Sequence, residues 1–153
     1  MSKRLDVFGT RHYTDKSLPP EIRAAMELIL DKHSPTIGLE EWSVTRPVPS
    51  GFKTVCEAKG IPWTDIGTPP TKEFTTHDVT LALDYLDGAD IRQYGPLDIQ
   101  EKREHLMQAK IIDAMSSHES AVLVIGVAHL HSMCMKLKGD FEIQAWAFAP
   151  EFF

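Results

Sequence analysis

The sequence predicts one α/β domain over 1–153, a mostly parallel or mixed sheet flanked by helices. Two observations carry this. Short apolar runs alternate with stretches of helical periodicity along the chain. Proline, glycine and N-cap residues fall between them, where elements should start and stop. At 153 residues the chain suits a single core rather than two.

The first strand is read at Leu5–Phe8. In "SLPPEIRAAMELILDKH", Ile22, Ala25, Met26, Ile29 and Leu30 share one helical face. Pro19 and Pro20 suit its first turn, where a missing N–H goes unnoticed, and Glu21 suits the positive end of the dipole. "PTIGLEEW" reads as a second strand ending in paired glutamates, and 51–59 as a helix leading to a third strand in "IPWTDIG". Threonines and prolines mark "IGTPPTKEFTTHD" as loop. A helix follows from Thr76, with Val79, Ala82, Leu83 and Leu86 on one face and Gly88 to end it. After the loop "GADIRQYGP", a long helix begins with Asp98 as N-cap and Glu101 closing a capping box. Ala121–Ile125 is the clearest strand, followed by a helix or turn over Ser132–Leu137. "DFEIQAWAF" alternates like an edge or antiparallel strand.

Composition narrows the function classes. A net charge of −6 without a basic stripe argues against nucleic acid as partner. No apolar run reaches the roughly 20 residues a membrane span needs, and "MSKRLDVFGT" is too polar for a signal peptide. Cys56 and Cys134 lack CxxC spacing, so free thiols and a cytoplasmic setting are expected. The methionines Met107, Met115, Met133 and Met135 read as core fillers.

Two segments far apart in the chain end an apolar strand in Gly-x-x-His: "LDVFGTRHY" and "VLVIGVAHLHSM". In parallel sheets ligands bind beyond the carboxyl ends of the strands. His12, Glu40 and His129 each follow a predicted strand, so parallel strands would gather them on one rim. Strand neighbours point to opposite faces, so one of Glu40 and Glu41 should face the site, and Glu40 is the choice. Two imidazoles and a carboxylate can hold a catalytic divalent ion (Mn, Co or Zn) or act directly as acid and base. These two chemistries stay open. Arg11, Tyr13, Glu41 and His131 are candidates for lining a substrate site, and Asp65 is a weaker one, more often a turn cap. Loop histidines bonded to backbone, and an Arg103 in an ordinary helical ion pair within "EKRE", are the plainer alternatives.

The motifs "GTRH", "IGLEEW", "VLVIGVAHLHSM" and "REHLMQAKI" resemble the TraB/PrgY/TIKI group, in a wider clan with the erythromycin esterases and ChaN-like haem-binding proteins. The last departs from the group's Arg-acid-x-x-Met-Ala pattern in having Gln108 between Met107 and Ala109. Residues 52–95 match little of it. The resemblance implies a small α/β fold and a hydrolase-like site acting on a small-molecule or peptide substrate. In the TIKI branch it implies a metal-dependent peptidase, in the esterase branch histidine-driven hydrolysis without metal. His12 and His129 then correspond to the motif histidines, Glu40 to the family glutamate and Arg103 to the helix arginine. A haem- or small-anion-binding module of the same fold is the non-catalytic alternative. The terminal "AWAFAPEFF" suggests a docking tail or a homodimer contact.

Overall fold

A computed structural model describes residues 2–42, 48–67 and 96–148. Its order is β1 (Lys3–Thr10), α1 (Pro20–His33), β2 (Ile37–Glu40), α2 (Gly51–Ala58), β3 (Trp63–Asp65), α3 (Pro96–Met115), β4 (Ser120–Gly126), a 3₁₀ turn (Val127–His129), α4 (Leu130–Leu137) and β5 (Phe141–Ala147). The strands form one sheet in the order β3-β2-β4-β1-β5. Every pairing is parallel.

The expected α/β class holds, and the sheet is parallel throughout rather than mixed. β5 is an edge strand, as its alternation suggests, but it runs parallel to β1. Its half-exposed pattern comes from lying at the edge, not from antiparallel pairing. The long helix starts at Pro96, so Asp98 lies inside its first turn and is not the N-cap. The helix read from Thr76, the loops around it and the tail beyond Phe148 lie outside the described residues.

Strand parity divides the core. Leu5, Val7, Ile37, Leu39, Ala121, Leu123 and Ile125 pack against Met107, Ile111 and Met115 of α3 and Met133 and Leu137 of α4. Phe8, Val122 and Val124 face Ile22, Met26 and Leu30 of α1 and Phe52, Val55 and Cys56 of α2. Burying each such large side chain contributes about 1.5–3 kcal/mol, and both faces must be covered for a parallel sheet to form.

This layering positions the rim. β1 and β4 are neighbours, with Gly9 opposite Ile125 and Thr10 opposite Gly126. The chain leaving β1 goes to α1 on one face, and the chain leaving β4 goes to α4 on the other. Divergence of two neighbouring strand ends opens the crevice where α/β sheets bind ligands. A clasp holds the segment after β1 in place: Thr14 bridges Ser50, Asp15 N–H donates to Pro49 O (3.1 Å) and Gly51 N–H to Tyr13 O (2.9 Å).

Candidate functional site

The two glycines that precede the motif histidines serve each other's motif. A Cβ on Gly126 would lie 3.1 Å from His12 Nε2 and 3.4 Å from Glu41 Oε1. On Gly9 it would lie 2.9 Å from Leu130 Cδ2, on the residue that follows His129. Each glycine leaves the volume that the neighbouring strand's loop occupies.

Glu41, not Glu40, stands at the centre. Its Oε1 accepts the Gly126 N–H (3.0 Å) and lies 3.4 Å from His12 Nε2. Its Oε2 lies 3.6 Å from His129 Nε2 and 3.6 Å from the Arg103 guanidinium. Glu41 is only 6% exposed. Burial pushes its pKa up, but the hydrogen bond and charge of His12, the Gly126 N–H and His129 outweigh this and leave it lowered.

The expectation for Glu40 is corrected by strand parity. Leu39 faces the α3/α4 core, so Glu40 points to the α1/α2 side and Glu41 returns to the side from which Arg103 and His129 arrive. Glu40 Oε1 accepts from Ser50 Oγ, the N-cap of α2, and from Trp63 Nε1 (3.0 Å). Burial raises its pKa to about 7, with Ser50, Trp63 and His12 opposing and Asp65 adding to the rise.

Sequence reasoning missed Glu104. This α3 carboxylate, 6% exposed, receives His129 Nδ1 at 2.7 Å on Oε2. Its Oε1 accepts from Ser132 Oγ (2.5 Å) and Lys136 Nζ (3.2 Å). Burial pushes its pKa up, and the bonds from Ser132, His129 and Lys136 with the Lys136 charge bring it down. A signal was present. Glu104 adjoins Arg103, and Glu101, Glu104 and Gln108 follow the i, i+3, i+7 spacing of one helical stripe.

Arg11 and His131 are exposed, His131 as the second residue of α4. Tyr13 packs against the α1/α2 core. Asp65 Oδ1 accepts Trp42 N–H (3.0 Å) and Gly67 N–H (2.7 Å), tying down the turns after β2 and β3. Cys56 is buried and its thiol is pushed up to about 12, by desolvation first and then by Glu40 and Glu57. Cys134 is also raised by burial, so neither thiol is an activated nucleophile.

No family model matches this chain, and no curated protein matches it. The likeness to the TraB group therefore rests on the motifs alone. The expected metal triad of His12, Glu40 and His129 is not assembled, because Glu40 is engaged by Ser50 and Trp63 on the other side. Among the described residues no group of three His, Cys, Asp or Glu side chains is disposed to hold a metal ion. Glu41 does not fit that role as placed. Both its oxygens face donors, one of them a guanidinium that would oppose a second cation. No helix among the described residues is long and apolar enough to cross a membrane.

Tautomers follow from the contacts. Glu104 on Nδ1 places the His129 proton there and leaves Nε2 as a lone pair, 3.6 Å from Glu41 and beyond hydrogen-bond range. His12 Nδ1 is buried without a partner among the described residues. An unpaired N–H costs more than an unpaired lone pair, which assigns the His12 proton to Nε2, facing Glu41.

Proposed function

We propose that the chain is a small hydrolase of the histidine-driven kind, acting on an ester, amide or phosphoester of a small molecule or peptide without a metal ion. The observation that carries this is the Glu104–His129 pair. A buried carboxylate on Nδ1 directs the opposite nitrogen to a rim that also holds Arg103 and the His12 N–H. His129 Nε2 takes a proton from water as the water oxygen bonds to the substrate carbon or phosphorus. Negative charge developing on the substrate oxygen is met by the Arg103 guanidinium, which Glu41 holds at 3.6 Å. Collapse breaks the bond to the leaving group, which takes the proton back from His129, so that acid and alcohol or amine are released. Likeness to the esterase branch of the TraB clan supports the same reading. Two unpaired cysteines suit a reducing compartment such as the cytosol.

The test is a panel of chromogenic esters, phosphoesters and peptide amides, run on wild type and His129→Ala with and without chelator. Turnover that chelator leaves intact and His129→Ala lowers by at least about 100-fold supports the reading. Indistinguishable wild-type and variant traces overturn it, and activity lost with chelator overturns its metal-free form. A Soret band in the purified protein would instead favour haem binding at this rim.

A further inference from the structure

Glu101, Glu104 and Gln108 of α3 face His129, Ser132 and Lys136, which repeat with the same spacing across the 3₁₀ turn and α4. Gln108 Nε2 donates to Lys136 O at 3.1 Å, pinning the two helices. Lys136 Nζ reaches Glu101 (2.9 Å), Glu104 (3.2 Å) and Ser132 Oγ (3.1 Å). Burial disfavours the charge on Lys136, but its bonds to the two glutamates and their charges outweigh this and raise its pKa, so the ammonium persists.

That ammonium fixes the Ser132 hydroxyl. An ammonium has donors only, so Ser132 Oγ accepts from Lys136 and its own proton must go to Glu104 Oε1. The Glu104 carboxylate is thereby gripped on Oε1 from α4, which turns Oε2 to His129 Nδ1. Lys136 alone would not achieve this. A flexible ammonium neutralises a carboxylate from many directions, whereas a hydroxyl one turn from His129 on the same helix face sets one.

We propose that Ser132 is a positioning residue that, acting through Glu104, holds His129 in the tautomer with the proton on Nδ1. Its consequence for turnover rests on the hydrolytic reading, while the tautomer itself does not. Such supports of a working imidazole matter because the wrong tautomer presents an N–H where a lone pair is needed.

The experiment uses the full chain labelled with ¹⁵N, at pH near 8 where an ordinary imidazole is neutral. The His129 ring nitrogens are read by long-range ¹H–¹⁵N correlation. In wild type Nδ1 carries the proton and Nε2 shows the shift of a bare lone pair. In Ser132→Ala the two nitrogens move toward a common, averaged shift as both tautomers populate, and Ser132→Thr, which keeps the hydroxyl, restores the wild-type pattern. With the best substrate of the panel, Ser132→Ala lowers kcat about tenfold with KM within about twofold. A folded Ser132→Ala with an unaltered single tautomer overturns the proposal. Should that variant not fold, Ser132→Cys keeps the volume with a weaker donor, and the same two outcomes decide. If His129→Ala retains full activity, the hydrolytic reading falls while the tautomer result stands on its own.

Discussion

Replacing Gly126 with alanine separates what a glycine does for the backbone from what it does for a neighbour. Gly126 has φ −59° and ψ 136°, a conformation open to any L-residue. Alanine there narrows the unfolded ensemble and stabilises by about 0.4–1 kcal/mol. Against this, the new Cβ would stand 3.1 Å from His12 Nε2 and 3.4 Å from Glu41 Oε1, so these groups must give by a few tenths of an ångström. Crowding of this kind costs about 1 kcal/mol at its lower end. The His12 side chain is 25% exposed, so it can swing outward instead of straining the core. The two terms nearly cancel. We expect unfolding free energy within about 1 kcal/mol of wild type and a Tm within about 4 °C for a chain of this size. His12 meanwhile loses its place against Glu41; on the hydrolytic reading proposed above, turnover then falls about tenfold, because Glu41 without His12 orients Arg103 less well. Thermal denaturation, the His12 ring ¹⁵N shifts and the ester assay read the three quantities. A Tm drop beyond about 8 °C would refute the reasoning, because the glycine would then serve the fold itself. So would His12 shifts identical to wild type.

Gly9→Ala behaves differently. Its Cβ meets Leu130 Cδ2 at 2.9 Å and Leu130 Cβ at 3.2 Å, close to the α4 backbone, so chemical denaturation should show a loss of about 1–3 kcal/mol. For Glu40, the folded pKa of about 7 exceeds the ordinary carboxylate value of 4.5, so the native state binds more protons between those values and stability falls as pH rises through that window. The effect is on the order of 3 kcal/mol. Glu40→Gln removes it, so the variant should gain on wild type between pH 5 and 8 in parallel urea titrations; a constant difference across that range would contradict the assignment. Cys56, buried with its thiol pushed up to about 12, should resist an aromatic disulfide reagent at pH 8 until the protein is unfolded. Rapid labelling of Cys56 in the native protein would sink that account.

Much of the architecture was legible because its signals are local. The apolar face of α1, the prolines at its start and the Ala121–Ile125 run are patterns within single elements, and the structure realises each of them. β5 was harder, since an exposed alternating strand looks the same whether it is antiparallel or simply at an edge; the crossover through α4 makes it parallel. At the site, the Gly-x-x-His segments and Arg103 were readable from residue type and position. The choice between Glu40 and Glu41 was not. Parity says that they diverge, but which face carries α3 and α4 is decided by how the chain crosses the sheet.

By itself, then, the sequence determined the alternation of strands and helices, the two strand-end glycines and the stock of imidazole, guanidinium and carboxylate groups near them. Tertiary structure decided which carboxylates meet the imidazoles: Glu41 between His12 and His129, Glu104 behind His129, and Glu40 turned away to Ser50 and Trp63. The physical reason is range. Periodicity and turn chemistry act over a few residues, whereas the contacts that orient these imidazoles join β2, α3 and α4, elements whose spatial order follows from packing two apolar faces at once.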